Sequence, residues 1–147
     1  MTIDFGLKMG IKEKEIKIVD DFELFGDDWE GKYEHIIEIG KEYPKMPDEL
    51  KTDERLIKGC QSRVWLYSEL KDGKVFYSVD SDAAIPKGIV ALIAGVLSGE
   101  SADDIVKSEL DFIDKIGLKE HLSPTRANGL VSMIKQMKLD AMVLNSK

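Results

Sequence analysis

From Val64 to Val79 the sequence reads VWLYSELKDGKVFYSV, and it sets the tightest constraint on the fold. Val64, Leu66, Ser68 and Leu70 alternate with Arg63, Trp65, Tyr67 and Glu69. A period of two belongs to a strand, whose successive side chains point to opposite faces. Lys71-Asp72-Gly73 then supplies residues that accept positive φ, and Val75, Tyr77 and Val79 resume the alternation. The stretch therefore predicts an antiparallel β-hairpin. Arg55–Lys58, just upstream, is expected to add a short strand, for a sheet of about three.

On either side the period becomes helical. Ile16, Val19, Phe22 and Phe25 recur at helix spacing from Lys12 and end at Gly26. Asp27 or Asp28 can cap a second helix with apolar positions Trp29, Tyr33, Ile36, Ile37 and Gly40. KEYPKMPDEL reads as a loop because Pro44 and Pro47 break the pattern. IVALIAGVLSG, residues 89–99, is apolar nearly all round, which predicts a buried helix closed at Gly99, with Pro86 in its first turn. Ser101 opens a short capped helix, and DFIDKIGL adds another turn or two. Ser123 and Pro124 start a terminal amphipathic helix carrying Leu130, Met133, Ile134, Met137, Met142 and Val143. The expectation is an α+β fold, one antiparallel sheet covered by several helices, in a single domain over residues 1–147 with residues 1–10 as a loose arm.

Composition narrows the function. No apolar run approaches the roughly 20 residues of a membrane span, and the N-terminus lacks the pattern of a signal peptide. The expected location is the cytoplasm, with no membrane partner. A net charge of −7 repels phosphate backbones, so no nucleic-acid partner is expected. A single cysteine, Cys60, forbids an internal disulfide, an all-cysteine metal site and a resolving-thiol pair within one chain. No metal site is expected, since neither His35 nor His121 sits at ligand spacing from Cys60.

Cys60 itself has two readings. A lone intracellular cysteine is often an inert, buried small hydrophobe. Against that, Gly59 and the polar run Gln61-Ser62-Arg63 make a flexible flank at a strand junction. Lys58 and Arg63 are placed to favour the thiolate, the nucleophilic form. The residues alone leave both open. A hydrolase would need a base at the sulfur. His35 reads as a satisfied residue on a helix face, and nothing ties His121 to Cys60. A group-transfer thiol, which needs neither its own base nor its own cofactor, stays possible.

Three segments carry a family resemblance: IKGCQSRVW (57–65), SDAAIPKGIVALI (81–93) and LSPTRANGLVSMI (122–134). In this order, with WEGKYEHIIEIGKEYPKMP upstream, they closely resemble the SufE family of sulfur-acceptor proteins over roughly residues 12–145. The resemblance implies a SufE/IscU-like fold. It also implies a carrier that takes persulfide sulfur from a PLP-dependent cysteine desulfurase, of SufS or related CsdA type, and stimulates that enzyme. The sulfur would pass to a SufBCD-type iron–sulfur assembly complex. Cys60 in GCQS maps to the acceptor, and the PLP belongs to the partner, so no cofactor is expected on this chain.

Further roles follow from the same motifs. Gly59 gives the loop mobility, and Gln61 and Ser62 shape it and donate hydrogen bonds near the sulfur. Asp82 lies by the acceptor and the desulfurase contact surface, or caps the following helix. Arg126 resembles the arginine that contacts the desulfurase. Trp65 and Tyr67 read as packing residues. A homodimer is suggested by the family. The loop is expected to pack inward in the free protein beside Ile57 and Val64 and to swing out on docking. The alternatives are an IscU-like scaffold, which needs about four cluster ligands where this chain has one thiol, and a standalone cysteine-dependent enzyme.

Overall fold

A computed structural model describes residues 10–147, so the expected arm lies, Gly10 apart, outside the described residues. The hairpin is as expected: β1 (Val64–Lys71) pairs antiparallel with β2 (Lys74–Ser81), Lys71 facing Lys74 across the turn. Asp72 and Gly73 take φ of 54° and 78°, the two left-handed positions that a two-residue turn requires. Val64, Leu66, Val75, Tyr77 and Val79 are buried on the sheet's inner face.

Among the described residues seven helices surround this sheet. They are α1 (Ile11–Glu23), α2 (Trp29–Glu42), α3 (Ala84–Leu97), α4 (Ala102–Lys107), α5 (Phe112–Lys115), α6 (Leu118–His121) and α7 (Pro124–Asn145). The architecture is α+β with a two-stranded antiparallel sheet. The expected third strand at Arg55–Lys58 is reduced to a single bridge, Leu56 to Trp65. Asp53–Arg55 coils into a 3-10 turn there, and the Arg55 guanidinium stacks over Tyr67 at 5.0 Å. The chain thus touches β1 and leaves it.

Helix α3 runs through the centre, buried from Ile89 to Ala94 and again at Val96 and Leu97. It crosses α2 at close range because both surfaces are glycine there. A Cβ added at Gly88 would stand 2.1 Å from the Ile36 carbonyl oxygen, and one at Gly40 would stand 2.9 Å from the Gly88 nitrogen. Caps fall where the sequence put them. Asp28 accepts from the Gly31 amide at 3.0 Å, Ser101 from Asp104 at 3.1 Å and Ser123 from Arg126 at 3.3 Å.

Two helix faces differ from expectation. On α1, Ile16 is 59% exposed, because the inward stripe contains Glu15. That carboxylate accepts the Phe112 amide at 3.1 Å and so turns Ile16 to solvent. On α7 the buried line is Leu130, Met133, Met137 and Ala141, which leaves Met142 and Val143 outside it and exposed. Among the described residues no helix is long and apolar enough to cross a membrane.

Candidate functional site

Cys60 lies on the loop before β1, and its surroundings come from distant parts of the chain. Its S–H donates to the carbonyl of Gly129 on α7, Sγ to O 3.6 Å. Gly129 is buried and lies against the thiol, where an added Cβ would stand at ordinary contact distance, 3.5 Å from the sulfur. Gly59 fits more closely against the next turn of α7, where it is the absent side chain that leaves room. Its φ is 96°, and a Cβ would stand 2.3 Å from Ser132 Oγ. The loop therefore docks on α7 by two glycine contacts, one from each side.

A small pocket of about 90 Å³ opens beside the sulfur. Gln61 and Ser62 form one wall, Pro86 and Ile89 of α3 and Met133 of α7 the floor, and Thr125 and Arg126 the rim. Arg126 is exposed and, among the described residues, forms no ion pair. The structure thus brings Gly59, Cys60, Gln61, Ser62 and Arg126 together.

Asp82 stands outside the pocket lining. Its carboxylate accepts the Arg63 amide at 3.1 Å, its own amide donates to the Arg63 carbonyl at 3.2 Å, and the Ser81 hydroxyl donates to the same carbonyl at 2.6 Å. Asp82 therefore clamps the exit of the Cys60 loop. It does not cap α3, whose N-cap is Ala83 without a side-chain bond. Beside it, buried Asp80 takes Lys51 at 2.6 Å and Lys87 at 3.3 Å. Burial pushes that carboxyl up, but the bonds from Lys51, the Ser81 amide and Lys87 outweigh it and hold it below the usual carboxylate range.

The electrostatics of the thiol overturn one expectation. Burial alone pushes Cys60 above the ordinary thiol range. Lys58 and Arg63 are exposed and contribute nothing to that shift. Gln61 and Ser62 line the pocket without bonding the sulfur, whose partner is the Gly129 carbonyl. A half-buried thiol bonded to a carbonyl is held in its protonated form. Its iodoacetamide reactivity should therefore reach half-maximum above pH 8.5, roughly the free-thiol midpoint. A midpoint at or below that of free cysteine would show an activated thiolate instead. The sign for stability agrees: a raised folded pKa contributes stability below the ordinary thiol pKa and loses it as pH climbs through the folded one.

Neither histidine serves the sulfur. His35 packs edge-on against Phe22, centroids 5.0 Å apart, with Phe25 at 5.3 Å. His121 stacks on Trp29 at 3.8 Å, and its Nδ1–H donates to the Gly117 carbonyl at 3.0 Å. Trp65 and Tyr67 lie under Lys51 and Arg55 as packing surfaces. Among the described residues no three His, Cys, Asp or Glu side chains cluster as metal ligands. Sequence reasoning missed Gly129, Ser132, Pro86, Ile89 and Met133. The available signal was Gly129, a glycine inside a helical pattern, which costs about 1 kcal/mol against alanine and so implies a close approach.

Comparison with known proteins shows the family. The sequence profile described as "SufE: Fe-S metabolism associated domain" matches residues 16–141. An uncharacterized SufE-like protein of Rhizobium meliloti is 43% identical over 130 residues, spanning 85% of this chain and 92% of the relative. The sulfur acceptor protein CsdE of Escherichia coli is 38% identical over 104 residues, 69% of this chain and 71% of CsdE. The solution structure of a hypothetical protein from Thermus thermophilus shares the fold, with a TM-score of 0.75, 19% identity, and coverage of 91% of this chain and 97% of that one. With a profile match over most of its length and relatives near 40% identity, the chain belongs to the SufE family.

Proposed function

We propose that this protein is a sulfur acceptor and carrier. It takes persulfide sulfur from a PLP-dependent cysteine desulfurase onto Cys60, stimulates that enzyme, and passes the sulfur to an iron–sulfur assembly complex of the SufBCD type. The observation that carries the reading is the thiol of Cys60, seated on α7 beside a pocket with room for little more than a small group. The relative named sulfur acceptor protein CsdE supports the sulfur chemistry.

The transfer needs no oxidant. The Cys60 thiolate attacks the outer sulfur of the donor's cysteine persulfide, and a new S–S bond forms on Cys60. The donor's S–S bond breaks, and its electron pair leaves with the donor thiolate, which takes up the proton that Cys60 gave up. Because burial disfavours the Cys60 thiolate in the free protein, docking must draw the loop off α7 before attack. Gly59, held at a φ of 96°, is the natural pivot. Arg126, exposed on the rim, is placed to meet the partner, and Asp82 keeps the loop's exit fixed to β2. PLP chemistry stays in the partner.

Intact mass under non-reducing conditions tests the reading, after incubation with a cysteine desulfurase, PLP and L-cysteine. The wild-type chain should gain one sulfur atom and Cys60→Ser none. Full stimulation of the desulfurase by Cys60→Ser would assign a purely regulatory role. Turnover of acyl or disulfide substrates without any partner would assign a standalone enzyme.

A further inference from the structure

The sheet stops early on one side. Next to a two-residue turn the facing pair exchanges backbone hydrogen bonds, and so does every second pair after it. Here those pairs are Lys71 with Lys74, Glu69 with Phe76, Tyr67 with Ser78 and Trp65 with Asp80. The bond from the Asp82 amide to the Arg63 carbonyl continues the series. Val64, Leu66, Ser68 and Leu70 therefore turn their N–H and C=O groups away from β2.

On the β2 side the outward groups nearest the turn find partners. Val75 bonds Glu100 and Gly99, Tyr77 accepts from the Tyr43 hydroxyl, and its amide donates to Ser98 Oγ. On the β1 side only the start is covered: Ile57 donates to the Val64 carbonyl, and Leu56 bridges Trp65. Among the described residues no backbone group pairs with the outward N–H and C=O of Ser68 or Leu70. The position that Arg55–Lys58 was expected to fill as a strand stands open beyond Leu56.

This open edge is continuous with the thiol site. Helix α7 advances with β1, meeting Cys60 at Gly129 and Ser68 at Asp140, where the Ser68 hydroxyl donates to the carboxylate at 2.7 Å. Leu139 and Val143, on the turns around Asp140, are 50% and 47% exposed, and Leu70 is 41% exposed. The charges nearby run against the whole. In a chain of net charge −7, Arg55, Lys58, Arg63 and Lys71 form no ion pair among the described residues. A twofold β1–β1 pair would set Glu69 against Glu69, whereas a segment of another protein can place its carboxylates opposite Arg55 and Lys71 and leave Glu69 unopposed.

We propose that the open edge of β1 at Ser68 and Leu70 receives an extended, acidic segment of the sulfur-donor protein as a third strand, beside the loop that carries Cys60. The proposal rests on the acceptor reading above. Main-chain bonds would hold the segment, its carboxylates facing Arg55 and Lys71 and its apolar residues covering Leu139 and Val143.

Amide hydrogen exchange on the full chain, alone and saturated with a PLP-dependent cysteine desulfurase from the same organism, tests this. The Ser68 and Leu70 amides should exchange readily in the free protein and at least tenfold more slowly in the complex. Leu70→Pro removes an N–H that makes no ladder bond, so the hairpin should survive. It should weaken desulfurase binding at least tenfold at an unchanged melting temperature, and Arg55→Glu should weaken it as well. Amides left unprotected at saturation overturn the proposal. So do amides already protected in the free protein, as by a second copy, and so does a folded Leu70→Pro that binds like wild type. If Leu70→Pro fails to fold, exchange on the wild-type chain decides. Sulfur uptake is measured in parallel. A chain that gains sulfur with its edge unprotected loses only this inference, whereas one that gains none loses the acceptor reading.

Discussion

Gly88→Ala should lower the stability of this protein by about 3 kcal/mol or more, at the upper end of overpacking costs. The added Cβ would stand 2.1 Å from the Ile36 carbonyl oxygen, 2.5 Å from Ile36 Cγ2 and 2.7 Å from the Ile36 carbonyl carbon. Backbone atoms of a packed helix cannot step aside as the end of a flexible side chain can. Relief requires α2 and α3 to separate, and that opens the core around Ile36 and Ile89, which are 0% and 1% exposed. Alanine's helix propensity returns at most about 1 kcal/mol, so the steric term wins. Gly95→Ala is the control. It lies on the same helix with nothing within 4 Å of its added Cβ, and should raise stability by up to about 1 kcal/mol. Urea denaturation reads both, and equal midpoints for the two variants would refute the close crossing. With a total stability of about 5–15 kcal/mol for a domain of this kind, Gly88→Ala should leave a poorly folded protein at 37 °C.

The second large effect concerns the thiol. Gly59→Ala should speed iodoacetamide labelling of Cys60 at pH 7.5 at least tenfold, with little change in the global unfolding midpoint. Two costs act together on the docked loop. A φ of 96° is a sparsely populated region for an L side chain, at about 1–3 kcal/mol, and the Cβ meets Ser132 Oγ at 2.3 Å. The rotatable Ser132 hydroxyl can relieve part of the second cost, and together the two reach the roughly 1.4 kcal/mol that shifts an equilibrium tenfold. Undocking removes the burial that keeps the thiol protonated, so thiolate fraction and access rise together. Adding Ser132→Gly to Gly59→Ala makes room for the Cβ but leaves the backbone strain. The double variant should therefore label at an intermediate rate. Wild-type labelling of Gly59→Ala would mean that the loop is not held by these contacts.

The sequence made some of this visible and hid the rest for physical reasons. The hairpin was readable because a strand's period and its Asp-Gly turn are local, and the same holds for the caps at Asp28, Ser101 and Ser123. The loss of the third strand was not, since Asp53–Arg55 coils into a 3-10 turn and only Leu56 bridges β1. Ile16, Met142 and Val143 satisfy a helical period, but period alone does not say which neighbouring stripe turns inward. For α1 that was settled by the Phe112 amide reaching Glu15 from a distant segment. Cys60 was visible by counting and by motif. Its seat was not, because Gly129 is 69 residues away and bonds the thiol through its backbone carbonyl. The thiolate support expected of Lys58 and Arg63 failed because proximity in sequence does not bring a charge to the sulfur.

The size of the Cys60 pocket sets a rule of admission. A sulfur atom added to the thiol lies about 2 Å from Sγ, within reach of the roughly 90 Å³ beside it. If Cys60 carries sulfur as proposed, the loaded loop would still fit against α7 with the added atom in the pocket. A thiol carrying a peptide-sized adduct cannot, and its loop must stay outside. On the acceptor reading, the docked loop would therefore admit one extra sulfur beside α7, whereas a bulkier mixed disulfide would hold the loop off it.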